Sequence, residues 1–143
     1  MYKISYLNCV LFIFMKYSVF AFILAFIDDR FVKIVINNAD TSLELIKLTI
    51  GYMLYILIHT ILFILIFSLP LYFILKINNR IFFLFLIIIF FLIEYLAYLW
   101  STSQKYFQDI NGVYNFIIGL VVFGIFFHKN IKQKWSIPLK TEI

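Results

Sequence analysis

The chain has 143 residues, 65% of them hydrophobic and only 13% charged, with a net charge of +5 and a mean hydropathy of +1.04. A soluble domain is nearer half apolar, and a chain this short has too much surface to hide so many apolar side chains within itself, so lipid is the expected solvent for most of it. The cations fall mainly between apolar runs, where they set orientation and meet anionic headgroups rather than nucleic acid. One cysteine, Cys9, excludes an internal disulfide, a CxxC redox pair and a thiolate zinc cage.

The first apolar run covers 6–27. Its stretch LFIFMKYSVFAFILAF carries Lys16 near the middle. The pieces on either side are about ten residues, roughly 16 Å of helix, too short to cross a bilayer separately. If the run crosses, Lys16 lies near the midplane, where a lysine costs roughly 3 kcal/mol on insertion scales. Lys3 before an apolar stretch resembles the start of a signal peptide, but the stretch is long, Lys16 interrupts it and no A-x-A-like exit follows, so it reads as retained.

Asp28 and Asp29 read as a solvated helix end rather than a metal site, and NNADTS as a polar turn. Thr41 and Glu44 fit a capping box, opening a helix that runs to Pro70 or a little beyond, with its span at 47–75. Pro70 should bend or loosen the last turns. KINNR (76–80) is a short turn. The third span is 81–100, with Tyr95, Tyr98 and Trp100 placed to form an interfacial belt. After the loop STSQKYFQDIN, a fourth span of about 17 residues covers 112–128. His128 borders it, and a basic tail carrying Trp135 follows at 129–143. The expected fold class is an all-α integral membrane protein: a single transmembrane domain, a bundle of four helices.

Lys3, Lys76, Arg80, Lys129, Lys132, Lys134 and Lys140 fall on one side of this topology, and Arg30, Lys33, Lys47 and Lys105 on the other. The excess places both termini on the cytoplasmic side. Abundant Lys, Phe, Ile, Asn and Tyr with little Gly and Pro point to an AT-rich coding source, hence a bacterial inner membrane or an organelle inner membrane.

Three spans each carry one ionisable residue: Lys16, His59 and Glu94. Measured from the same side, Lys16 is about 15 Å and Glu94 about 20 Å deep; measured from the turn at Asn78, His59 and Glu94 are about 28 and 24 Å away. All three fall within about a helix turn of one level. A lysine and a glutamate at matched depth can pair, or stand neutral together, at far less cost than either charge alone, and His59 could join by a hydrogen bond. Helical spacing adds a supporting polar face of Tyr52 and Tyr55 beside His59, Tyr98 beside Glu94, and Asn115 four residues before Gly119. Three readings of the pair stay open: a structural tie fixing helix register, part of a proton or ion path, or a contact with another subunit.

The stretch FLIEYLAYLWSTSQKYFQDINGVYNFIIGLVVFG, residues 91–124, is loosely similar to the second half of VanZ-like membrane proteins. Glu94, Asp109, Asn115 and Gly119 echo the order of that family's residues, while its DK-x-x-H element is absent from the first half. The likeness covers about a quarter of the chain and no function is carried across from it.

GxSxG, HExxH, Walker A, GxGxxG and EF-hand patterns are absent, as are paired histidines at helical spacing. No enzyme activity, metal or cofactor is expected. The leading expectation is an accessory or partner-binding subunit of a larger membrane assembly, its partners being the lipid bilayer and another membrane protein or a second copy of itself. The alternatives are an immunity-type membrane protein against a pore-forming toxin, or a small proton- or ion-coupled transporter using Lys16, His59 and Glu94.

Overall fold

The computed structural model describes residues 4–27, 29–101 and 110–136. Among them are four helices long and apolar enough to cross a membrane: α1 (Tyr6–Phe26), α3 (Ser42–Lys76), α4 (Arg80–Ser101) and α5 (Ile110–Ser136). A short helix α2 (Arg30–Ile34) and a 3-10 turn (Ile36–Asn38) lie between α1 and α3. No strand occurs among the described residues. Helix α1 packs mainly against α3 and α5, and α4 packs against the same two. The ring therefore runs α1, α3, α4, α5, and α1 and α4 stand at opposite corners.

Local chemistry sets the helix ends. The Ser5 side chain accepts the Leu7 N–H, 3.3 Å away, and opens α1. Asp29 takes a left-handed conformation, φ 54, which Asp tolerates better than most residues, and turns the chain into α2. The Asn38 amide donates to the carbonyls of Lys33 and Ile34, closing that short segment. Thr41 caps α3 by accepting the Glu44 N–H, and the Glu44 carboxylate reaches back to the N–H of Asp40 rather than of Thr41. Asn79 accepts the Phe82 N–H at the start of α4.

The end of α3 falls one residue beyond the expected 75, and the end of α5 well beyond the expected 128. Helix α3 continues through Pro70 to Lys76. Proline removes one N–H donor, but Leu71 and Leu75 beyond it are completely buried, and their packing holds the last turns helical. Helix α5 runs to Ser136, so the first part of the expected basic tail is helix. Here Asn130 is buried, the Lys134 ammonium donates to the Ile77 carbonyl at the end of α3 and stands 4.8 Å from the Phe83 ring centre, and Trp135 lies 5.8 Å from the Arg80 guanidinium. A cation at a helix C-terminus also meets the negative end of the helix dipole. The aromatic belt is smaller than expected: Trp100 is 88% exposed, but Tyr98 is buried edge-on against Phe20 and Tyr95 leans toward Phe116. Lys3, Asp28, Ser103, Lys105, Asp109 and Lys140 lie outside the described residues.

The two ends of the bundle are packed differently. At one end Cys9, Phe12, Ile13, Leu71 and Leu75 have no exposed surface. Phe12 meets Phe123 and Phe127 edge-on, both at 5.7 Å. The Tyr6 hydroxyl joins Ser68 at 2.7 Å, tying α1 to α3. In lipid, burying a leucine gains little, because the solvent is as apolar as the core; close packing and polar contacts carry the association. Edge-on ring pairs contribute about 0.5–1.5 kcal/mol each beyond burial, so this phenylalanine cluster matters more than its area suggests. At the other end, the first buried residue of α3 is Thr60, and the turns before it stand clear of the bundle on most sides.

Cys9 reports on the closed end. In mild detergent its thiol should resist maleimide and become reactive only in SDS. Rapid labelling of the native protein would mean that the α1–α5 packing is wrong.

Candidate functional site

Lys16 lies on the face of α1 formed by Cys9, Phe12, Ile13, Lys16, Tyr17 and Phe20, all buried at helical spacing. Glu94 lies on the corresponding face of α4, with Phe83, Ile87, Phe90, Phe91 and Tyr98. Lys16 Nζ and Glu94 Oε1 are 2.7 Å apart, and the two side chains are 2% and 1% exposed. The Tyr17 hydroxyl donates to the same Oε1 at 3.0 Å. Since α1 and α4 are opposite corners of the ring, the pair crosses the bundle's diagonal through its centre.

Helices α3 and α5 supply the walls. On α5, Gly119 leaves the space that the lysine end occupies: a Cβ there would stand 2.9 Å from both Cε and Nζ of Lys16. One turn earlier on α5, the Asn115 side chain is 1% exposed. On α3, Phe63 lies against the Tyr17 ring, 4.6 Å between centres. The ammonium is 5.3 Å from the Tyr17 ring centre and 5.8 Å from that of Phe91, inside the range of a cation–π attraction. Two buried acceptors, Glu94 Oε2 and Asn115 Oδ1, have no hydrogen-bond partner.

The other residues singled out in the sequence fall elsewhere. His59 does not join Lys16 and Glu94. Its Nδ1 pairs with the Tyr55 carbonyl of its own helix at 3.0 Å, and its ring lies on the Tyr55 ring, 4.2 Å between centres. The α3 residue level with Tyr17 is Phe63, one turn beyond His59, so similar depth did not bring the histidine to the centre. Tyr52, Tyr55 and His59 instead line a cleft between α1 and α3, and Tyr98 closes part of its wall. Tyr17 is the member that sequence reasoning missed. It is adjacent to Lys16, and a stripe about 100° wide on a helix includes neighbours as well as residues three and four apart.

Chemically the cluster is a charge-assisted hydrogen-bond network with one carboxylate oxygen receiving both donors. Such bonds are short and about twice as strong as neutral ones. Removing one partner of a buried pair typically costs about 3–5 kcal/mol. Lys16→Met and Glu94→Gln should therefore each lower stability in detergent. The double substitution leaves no charge to bury and should recover much of the loss, with a coupling of about 1–3 kcal/mol in the double-mutant cycle. Purely additive losses would show that the residues do not meet within one chain.

Glycine substitutions test the α5 wall independently. Alanine is about 1 kcal/mol better than glycine in a helix, and a Cβ at Gly124 meets nothing within 4 Å. Gly124→Ala should be neutral or stabilising. Gly119→Ala should be destabilising in the wild type and much less so beside Lys16→Met. Equal effects at the two glycines would remove Gly119 from the pair's surroundings.

No protein-family model, curated protein or solved structure matches this chain, so the buried pair and the helices that it joins are the ground on which a function is assigned.

Proposed function

We propose that this chain is an integral membrane protein of four crossing helices, with both termini on the cytoplasmic side, that acts without catalysis as an accessory, partner-binding subunit of a larger membrane assembly. A bacterial inner membrane is the proposed location. The observation that carries the reading is the closed Lys16–Glu94 pair, with 2% and 1% exposure. Its charges are spent on each other and tie together opposite corners of the ring. A bundle held at its centre in this way keeps a fixed outer shape, which suits a subunit recognised by its surface.

The partner surface in this reading is the outer face of the first half of α3. Ile46, Ile50, Met53 and Leu57 are exposed there, on turns that contribute nothing to the buried core. Purification from membranes in mild detergent should yield a second membrane polypeptide in fixed proportion. A photoreactive side chain at Met53 should crosslink to that polypeptide, and one at Phe85 on α4 should not. A lone 17.2 kDa species, with only lipid adducts at Met53, would defeat the proposal. The orientation is tested with a cysteine at Asn38 or Asn78 in a Cys9→Ser background. Impermeant maleimide should label the first in intact cells and spare the second, and the reverse pattern would invert the topology.

A transporter is the second reading, favoured by the unpaired Glu94 Oε2, a carboxylate oxygen that can take a proton, with a second unpaired acceptor at Asn115 Oδ1. Alternating access needs a site that opens to each side in turn, whereas both charged side chains are closed off and Lys16 is held by Glu94 and walled by Gly119. Reconstituted protein should therefore dissipate a pH gradient no faster than empty liposomes. A flux abolished by Glu94→Gln would make transport the function instead.

A further inference from the structure

The open end of the bundle contains a cleft of about 620 Å³, within the roughly 300–1,000 Å³ of small-molecule sites. Helices α1 and α3 form its long walls, α2 supplies Arg30 and Ile34, and the end of α4 supplies Tyr98 and Ser101. Its polarity is graded. Arg30 and Lys47 lie among the lining residues where the chain enters and leaves the α2 region, and none of the lining residues is acidic. Its floor is aromatic, formed by Phe20 and Phe63, with the apolar Leu24 and Ile56 at mid-height. Tyr52, Tyr55 and His59 add polar-edged rings along the α3 wall, Tyr52 nearest Lys47 and His59 one turn before Phe63.

Length distinguishes between occupants. The α3 part of the lining begins at Lys47 and ends at Phe63, about 24 Å along a helix. One leaflet with its headgroup layer is about half of the 40–45 Å bilayer, roughly 21 Å. Lys47 is at the edge of the apolar span, and Phe63 packs on Tyr17 beside the buried pair at mid-depth. The cleft thus extends from headgroup level to the middle of the bilayer, cationic at the first and apolar at the second. A small soluble anion would use only the first few ångströms of it, and a neutral hydrocarbon would not match the cationic entrance.

We propose that this cleft binds one anionic phospholipid, its phosphate between Arg30 and Lys47 and an acyl chain lying along α3 toward Phe63. The proposal rests on the membrane placement above but not on a protein partner. With the proposed orientation, the lipid comes from the non-cytoplasmic leaflet. The phosphate meets two charge-assisted contacts, and the tyrosine rings suit the boundary between headgroup and chain, where amphipathic rings are favoured. Gly51 is the gap through which the chain passes: it lines the cleft, and a Cβ there would meet nothing within 4 Å.

The test is native mass spectrometry of the full-length protein in detergent, titrated with dioleoyl phosphatidylglycerol and, separately, dioleoyl phosphatidylcholine. Recovery from the membrane fraction before titration checks the membrane placement on its own. One phosphatidylglycerol per chain should be retained at least tenfold more strongly than phosphatidylcholine. Arg30→Gln with Lys47→Gln should reduce that preference at least tenfold, and Lys129→Gln with Lys132→Gln at the other end should leave it unchanged. Gly51→Leu keeps both cations but fills the passage, and should also lower retention about tenfold while thermal stability is maintained. Equal retention of the two lipids by the wild type would overturn the proposal without any variant. So would loss in the charge variant with none in Gly51→Leu, which describes a headgroup on the surface, or displacement by millimolar inorganic phosphate, which describes a soluble-anion site.

Discussion

A lysine and a glutamate that meet across a diagonal constrain a four-helix ring more than any contact between neighbours. Neighbouring helices can slide or rotate while keeping most of their apolar contacts, because leucine, isoleucine and phenylalanine surfaces are tolerant and lipid competes for them on equal terms. The Lys16–Glu94 contact is not tolerant: its 2.7 Å separation sets the height of α1 against α4, and α5 must present a residue without a side chain, Gly119, at the same level. Tyr17 and Phe63 bring α3 into the same arrangement. All four long helices therefore take their register from one point.

From that point the molecule becomes unequal toward its two ends. On one side aromatic side chains from α1 and α5 interlock, the α3–α4 turn is covered by Lys134 and Trp135, and the packing leaves no exposed surface on Cys9 or Leu75. On the other, the first turns of α3 touch α2 through the Phe31–Tyr52 ring pair and leave a cleft between α1 and α3. This asymmetry separates the roles proposed above, the sealed half holding the shape and the open half carrying the proposed binding surfaces.

Much of this was legible in the residues. Four apolar runs gave four helices, the Thr41–Glu44 spacing marked the start of α3, and the depth comparison brought Lys16 and Glu94 to one level. Depth alone did not settle which way a side chain faces. His59 has the right height, yet it turns toward the cleft, because rotation of α3 is decided by Phe63, Phe67 and Leu71 packing inward. The length of α5 was underestimated for a related reason. Its basic end is polar by composition, and what keeps it helical is contact with the α3–α4 turn, which belongs to a distant part of the chain. The cleft had no sequence signature, since it is formed by what α2 and the first turns of α3 leave unfilled.

Glu94 follows Tyr17 by 77 residues, and Gly119 comes later still, so Lys16 leaves the ribosome long before anything that shelters it. With the membrane placement proposed here, α1 reaches the bilayer as a helix whose central charge has no counterpart. It must wait, either lying at the interface with the ammonium in the headgroups or held by the insertion machinery, until α4 has been made. Insertion of the first helix and closure of the ring then become a single late event governed by arrival of the last two helices. A chain cut short before Glu94 would leave Lys16 in lipid with no partner for its charge.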